Sequence, residues 1–181
     1  MRTVLRSAAA SLLLGSALLF GEAAWMRAKA AVASVLIERS LEATLRDGRP
    51  HRPWSWADFH PVARLRVPRL GISRPVLSGA TGATLAFGLG RVDGTSGVLA
   101  GHRDTWAAFL REVRTGDAVV LEDREGTRCY RVREIRIVPP DDLSVLEERG
   151  DRLTFVTCWP FGGVVRARQR LVITCASAAA T

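Results

Sequence analysis

From Pro61 onward the chain consists of short stretches in which apolar and polar residues alternate, separated by glycine and proline turns. A period of two places successive side chains on opposite faces of a β-strand. In residues 62–67, for example, Ala63, Leu65 and Val67 would face a core while the arginines between them face solvent. A succession of such strands predicts a mainly β domain, built as a small barrel or a sandwich.

The longest alternating stretch also predicts an irregularity. In residues 129–138 the apolar positions change phase after Val132, which indicates a β-bulge near Arg133 and Glu134. One helix is expected inside the domain, over residues 105–113. The strands that the pattern predicts are 62–67, 72–77, 97–101, 118–122, 129–138, 153–158 and 168–175.

The chain opens with a basic start and an apolar run. Arg2 and Arg6 precede an apolar stretch over residues 7–21, which ends at Glu22, and this order is typical of an export signal. A poor cleavage site follows, so we expect residues 1–26 to form an uncleaved signal anchor that crosses the inner membrane once. The basic start would stay in the cytoplasm and the rest of the chain would face the periplasm. A removed signal peptide is the alternative.

Between this anchor and the β domain, the sequence predicts a helical stalk followed by a linker. Apolar residues recur at helical spacing until Gly48, which together with the prolines that follow should end the helix. Trp54 and Trp56 in the linker either pack onto the following domain or anchor the chain at a membrane interface. The expected divisions are an anchor, a stalk with its linker, a β domain and a tail, over residues 1–26, 27–60, 61–176 and 177–181.

The charge of the chain narrows the range of partners. The net charge of +8 is the difference between 26 basic and 18 acidic residues. Of the basic residues only Lys29 is a lysine. Such an excess suits nucleic acid or an anionic membrane surface. However, the arginines are scattered, and no aromatic residues interleave with them as stacking on single strands requires. We therefore expect no nucleic-acid partner and interpret the arginines as a solvated surface.

Three residues suited to catalysis stand at predicted strand ends. Cys158 closes the strand 153–158, His102 follows the strand 97–101, and Arg170 lies near the start of the last strand. A cysteine thiolate is a strong nucleophile when a base or a cation lies beside it. Taken alone, each residue also has a plain explanation as a buried thiol, a bonded loop histidine or a surface charge. No cofactor is expected, and no metal, because Cys158 and His102 lack the close spacing of zinc ligands.

Together, these motifs resemble those of the sortase family of cysteine transpeptidases. The Thr-Leu-x-Thr-Cys strand of that family is matched by residues 154–158, with Phe155 in place of leucine. Its histidine in a Gly-His-Arg turn is matched by residues 100–105, and the arginine that opens its last strand is matched by residues 170–173. The likeness covers residues 52–176, and three motifs in the right order are more specific than any one of them.

The resemblance implies a closed eight-stranded sortase-type β-barrel with short helices, and a thiol peptidase that performs transpeptidation. Cys158 would attack an LPxTG-like sorting signal between Thr and Gly, form a thioester and pass the acyl group to an amine. His102 would serve as acid and base, and Arg170 would stabilise the oxyanion or hold the substrate backbone. Thr157 would help to shape the substrate pocket, and Arg168 is the second choice for the role of Arg170.

Residues 54–65 and 157–161 resemble the Gram-negative branch of the family, often called class GN or marine proteobacterial sortases. Residues 139–146 resemble the loop that precedes the cysteine strand in this family. This branch usually acts on one dedicated partner protein with a C-terminal sorting signal. The resemblance therefore implies one main substrate, while the acceptor amine stays unknown.

Other functions remain open. A cysteine protease would release the same thioester to water, and a membrane-anchored binding domain would not use it at all. A cell-wall L,D-transpeptidase is disfavoured, because its histidine lies in a Ser-His-Gly-Cys type motif close to the cysteine, which is absent here. In an exported domain, Cys129 and Cys175 could also pair as a disulfide and leave Cys158 free.

Overall fold

The computed structural model describes residues 2–95, 97–146, 151–163 and 167–178. By its internal contacts the chain forms two compact units, Met1–Leu36 and Ile37–Thr181. Helix α1 spans Arg2–Asp47. It ends where the sequence predicts, because Gly48 takes a φ of 72° and donates its N–H to the carbonyl of Thr44 at 2.9 Å. The last residues of the predicted tail, 179–181, lie outside the described residues.

The second unit contains a closed barrel of eight strands, which confirms the expected fold class. Around the ring the strands follow the order β1-β2-β3-β4-β7-β8-β6-β5, with parallel pairs only at β2-β3 and β4-β7 among the described residues. The short helices are α2 (Gly82–Leu85) and three 3₁₀ helices, Pro68–Leu70, Ala108–Glu112 and Leu143–Leu146. The strands are β1 (Pro61–Val67), β2 (Ile72–Ser78), β3 (Leu89–Arg91), β4 (Val98–Ala100), β5 (Ala118–Asp123), β6 (Gly126–Val138), β7 (Arg152–Trp159) and β8 (Gln169–Ser177).

The alternation of the sequence sets which side chains fill the barrel. Ala63, Leu65 and Val67 on β1 are fully buried in the main core, as predicted. On β6 the pairing with β8 shifts register between Val132 and Glu134, which confirms the predicted bulge. The barrel interior is therefore apolar, and the polar residues of the same strands are left for the outer face.

One local expectation is wrong, and one strand was not predicted. Residues 105–113 do not form a regular helix but a turn followed by the 3₁₀ helix Ala108–Glu112. The carbonyl of His102 accepts hydrogen bonds from the N–H groups of Thr105 and Ala107, so these residues are held in a turn rather than in an α-helix. Strand β3 was not anticipated, and with only three residues it is too short to show an alternation.

The expected membrane anchor over residues 1–26 is not supported. Within the described residues, no helix is both long enough and apolar enough to cross a membrane. The apolar run is bounded by Arg6 and Glu22 and is therefore shorter than the roughly 20 residues that a bilayer crossing needs.

The two linker tryptophans differ in their surroundings. Trp54 packs edge-on against Phe59 and Phe87, with ring centroids 5.6 and 5.3 Å away. Trp56 is 80% exposed. The interpretation that a linker tryptophan packs onto the following domain therefore holds for Trp54 and not for Trp56.

Candidate active site

Cys158 lies near the end of β7, on the outer face of the barrel wall. Leu153, Phe155 and Thr157 on the same strand are buried and point inward. Because side chains alternate, Cys158 projects from the opposite face, where it is partly buried. The strand stops at Trp159, and the Trp159-Pro160 peptide bond is cis. The structure therefore places Cys158 at a strand end, on the face opposite to the core.

Arg170 lies directly across from Cys158. The two residues are register partners in the antiparallel pair of β7 and β8, so their side chains leave the sheet on the same face. Arg170 is half-buried, and its Nη1 donates to the carbonyl of Gln169 at 3.1 Å. Residues 171, 173 and 175 are buried on the other face, as the alternation predicts. The cation therefore stands on the same face as the thiol.

His102 follows strand β4, which lies beside β7 on the side opposite to β8. Strand β4 runs parallel to β7 with Ala100 opposite Val156, and Gly101 extends the pairing by donating its N–H to the carbonyl of Val156 at 3.3 Å. His102 follows two residues beyond Ala100, at the same edge of the sheet as Cys158. The imidazole is exposed. Three neighbouring strands thus bring the predicted histidine, cysteine and arginine to one end of one wall.

Thr157 has a different place from the one expected. Its side chain is 3% exposed and points away from the face that carries Cys158. Its Oγ1 donates to the carbonyl of Gly101 at 2.7 Å, which ties β7 to the residue before His102. Instead of opening onto a substrate pocket, Thr157 fixes the spacing of two strands. A Cβ at position 101 would lie 2.6 Å from Leu89 Cδ2, so the side chain of Leu89 would have to shift.

Arg168 lies just before β8, which begins at Gln169 and not at residue 168 as predicted. Its side chain is exposed. The structure therefore places Arg168 one residue outside the pairing with β7, whereas Arg170 lies inside it.

Two residues that sequence reasoning did not single out connect the histidine turn to the segment after the cysteine. Arg103 donates from Nη1 to the carbonyl of Pro160 and from Nη2 to the carbonyl of Gly163, both at 2.7 Å. Asp104 accepts the N–H of Gly162 at 2.7 Å and the Nε–H of Arg103 at 2.9 Å. The hydrogen bond from Gly162 is the main reason why the pKa of Asp104 lies below its ordinary value. The sequence feature that could have pointed to these two residues is the Arg-Asp pair that directly follows His102.

An aromatic surface borders the site on the same segment. Trp159 and Phe161 contact each other edge-on, with ring centroids 5.6 Å apart. The guanidinium of Arg111 lies over the ring of Phe161, 5.3 Å from its centroid. The residues that follow Cys158 are therefore held by ring contacts as well as by hydrogen bonds.

The other two cysteines differ from Cys158. All three thiols are free, with Cys129 exposed and Cys175 buried, so the considered disulfide is absent from the described residues. Cys175 points into the core, and burial raises the pKa of its thiol to about 12. Cys158 alone combines partial access with a histidine and an arginine at its level, an arrangement suited to nucleophilic attack, proton transfer and anion stabilisation. No cluster of three or more potential metal ligands occurs among the residues that the structure describes.

Comparisons with known proteins identify the family of the domain. The model of the sortase domain family matches residues 65–178. Sortase D from Bacillus subtilis strain 168 is 30% identical over 118 residues, which cover 60% of this chain and 60% of that protein. The chain therefore spans somewhat less than two thirds of the length of this relative.

Solved structures share the fold. Sortase A from Corynebacterium diphtheriae superposes with a TM-score of 0.61 at 24% identity, covering 70% of this chain and 64% of that one. Sortase C1 from Streptococcus agalactiae gives 0.60 at 26% identity, covering 67% and 69%. A Clostridium perfringens Sortase D5 transpeptidase gives 0.58 at 21% identity, covering 78% and 88%.

Proposed function

The chain belongs to the sortase family, and from this premise we propose that it is a cysteine transpeptidase acting through a thioester on Cys158. The observation that carries the proposal is the register of three neighbouring strands. Cys158 is the partner of Arg170 across one strand pair, and the pairing of β4 with β7 leads His102 to the same level. A nucleophile, a proton carrier and a fixed cation are the groups that acyl transfer requires.

Each of the three side chains has a proposed role. Cys158 Sγ attacks the scissile carbonyl, and the resulting oxyanion is stabilised by the permanent charge of Arg170. His102 gives a proton to the leaving amine and later takes one from the incoming amine. The exposure of His102 and the partial exposure of Cys158 support these roles, since both partners of the reaction arrive from solvent.

For the substrate, we propose an LPxTG-like sorting signal at the C-terminus of a dedicated partner protein, cut between Thr and Gly. The motifs in residues 54–65 and 157–161 support this proposal through their resemblance to the Gram-negative branch. The acceptor is an amine. A periplasmic location at the inner membrane is proposed on the N-terminal sequence alone, from its basic start and apolar run. A reporter enzyme that is active only outside the cytoplasm, fused after residue 181, would stay inactive if this location were wrong.

The reaction is tested by incubating the full chain with LPxTG-like peptides and hydroxylamine, followed by mass spectrometry. We expect cleavage between Thr and Gly and transfer of the acyl group to the amine, both lost in Cys158→Ala. Cys129→Ala serves as the matched control, because it removes an exposed thiol and should leave turnover unchanged. Release of the free acid alone would identify a protease. A folded protein without cleavage of any peptide would favour a binding domain.

The two candidate arginines are separated by a second comparison. Arg170→Ala should lose far more turnover than Arg168→Ala, because only Arg170 is the register partner of Cys158. A larger loss in Arg168→Ala would transfer the oxyanion role to that residue.

A further inference from the structure

Arg103 and Asp104 hold the segment that follows the cysteine, a set of contacts that we call the Arg103 clamp. Arg103 binds the carbonyls of Pro160 and Gly163, and Asp104 receives the N–H of Gly162. The Nε of Arg103 also donates to the carboxylate of Asp104 at 2.9 Å. The clamp therefore connects residues that are 57 to 60 positions apart along the chain.

Hydrogen bonds on both sides of His102 connect its neighbours to the neighbours of Cys158. On one side of His102, the carbonyl of Gly101 accepts the hydroxyl proton of Thr157, the residue before Cys158. On the other side of His102, Arg103 binds the backbone after Cys158. The neighbours of the histidine are thus bonded to the neighbours of the cysteine, both before and after the reacting residues. This arrangement restrains the distance between the imidazole and the thiol.

The ion pair within the clamp contributes little stability by itself. The side chain of Asp104 is 43% exposed, and an exposed ion pair between adjacent residues contributes little to the free energy of unfolding. Yet the guanidinium of Arg103, only 13% exposed, directs its N–H groups at three acceptors. Bonds of this kind fix orientation, because a planar guanidinium offers its donors in a rigid geometry.

We propose that Arg103 is a positioning residue for His102, holding the imidazole beside the thiol of Cys158 through both halves of acyl transfer. Asp104 supports it by holding Gly162. The inference rests on the proposed function, because it concerns the geometry of the same site. It goes beyond that function in assigning a role to a residue that does not itself touch the reacting atoms.

The kinetic test compares Arg103→Gln and Arg103→Lys with Arg133→Gln, which removes an exposed arginine of β6. Both Arg103 variants should lower kcat roughly 10- to 100-fold with little change in KM, as expected when a reacting group is misplaced by about an ångström. Lysine should not rescue the loss, because a single ammonium cannot reach three separate acceptors. Full activity in Arg103→Lys, or a loss confined to KM, would overturn the proposal.

Gly163→Ala tests the same contact without changing the arginine. A Cβ at position 163 would lie 2.6 Å from Nη2 of Arg103, so the guanidinium must leave the carbonyl that it binds. We expect a fall in kcat in the wild-type background and little further fall in Arg103→Gln, because the two changes break one contact. Simple additivity would show that the two substitutions act on turnover independently and not through their shared contact.

A readout that needs no peptide substrate separates this proposal from the proposed function. The chain has three histidines, so the NMR resonance of the His102 ring can be assigned and followed. In a Cys129→Ala background, alkylation of Cys158 with iodoacetamide should shift the His102 resonance strongly, and Arg103→Gln should reduce the shift. An equal shift in both proteins would refute the positioning role even if turnover were never observed. A reduced shift without turnover would support the clamp and reject the transpeptidase.

Discussion

Two walls of the barrel use their polar side chains in opposite ways. The ion-pair wall, formed by β1, β5 and β6 together with the 3₁₀ helix Pro68–Leu70 and Asp117 just before β5, carries charges that neutralise each other. Arg69 binds both carboxylate oxygens of Asp117 at 2.6 and 2.8 Å. Arg128 is paired with Asp123 in the same region of the molecule. These carboxylates are nearly buried, and their hydrogen bonds are made within the protein.

The cysteine wall, formed by β4, β7 and β8, leaves its reactive groups available. Among the described residues, none of His102, Cys158 and Arg170 takes part in an ion pair. The bonds of this wall instead fix the backbone around them, through Thr157 and Arg103. Under the proposed function, charges on the first wall serve stability, whereas those on the second serve chemistry. Substitutions on the two walls should therefore affect different measurements.

The largest expected effect belongs to the cysteine wall. His102→Ala should lower kcat by roughly 10²- to 10⁴-fold, the range that general acid–base catalysis contributes. Its melting temperature should stay close to that of the wild type, because the side chain is exposed. Peptide turnover and thermal unfolding are measured on the same preparation. If His102→Ala kept its activity but had a much lower melting temperature, the distinction between the walls would be reversed.

Asp123→Ala should show the opposite behaviour. The carboxylate accepts hydrogen bonds from Arg128 and from the N–H of Glu125, and its loss should destabilise the fold by about 2 kcal/mol, as for hydrogen bonds to charged groups. Turnover per folded molecule should not change. Glu134→Ala is the control, since its pair with Arg136 is exposed and should contribute less than about 1 kcal/mol. Urea denaturation of both variants decides whether burial governs the size of the effect.

The smallest effect is a dependence of stability on pH. Hydrogen bonding from Arg69 holds the pKa of Asp117 below its ordinary value of 3.8. A lowered pKa stabilises the folded state above the ordinary value, and this contribution is lost as the pH falls through the lowered pKa. The stability difference between wild type and Asp117→Asn should therefore be largest near neutrality and shrink below pH 3.8. A difference that is constant over this pH range would mean that the pairing contributes nothing specific to the ionised carboxylate.

Much of the barrel could be predicted because the period of two can be read locally. The inward set Ala63, Leu65 and Val67 and the bulge after Val132 depend only on neighbouring residues. Strand β3 (Leu89–Arg91) could not be found in this way, since three residues do not establish a period. The helix expected at 105–113 failed because local propensity does not register the two bonds that the His102 carbonyl accepts.

The main residues of the candidate site could likewise be proposed from the sequence. Cys158, His102 and Arg170 each sit at a strand end and in a motif, so their types and order were visible in the sequence. The Arg103 clamp depends on contacts between residues 57 or more positions apart. Arg103 is also one of 26 basic residues, so its presence in the sequence did not by itself indicate a role. The buried position of Thr157 likewise depends on the side of β7 that faces the core.

The most direct test of the account uses the competition between two thiols. Cys129 is the more exposed of the two, and Cys158 is partly buried on the cysteine wall. The full chain is incubated with an LPxTG-like peptide without an added amine, quenched in acid and digested, and the acylated residue is located by mass spectrometry. The account predicts a thioester on Cys158 and none on Cys129, in spite of the greater exposure of Cys129. An acyl group on Cys129, or equal labelling of both thiols, would contradict it.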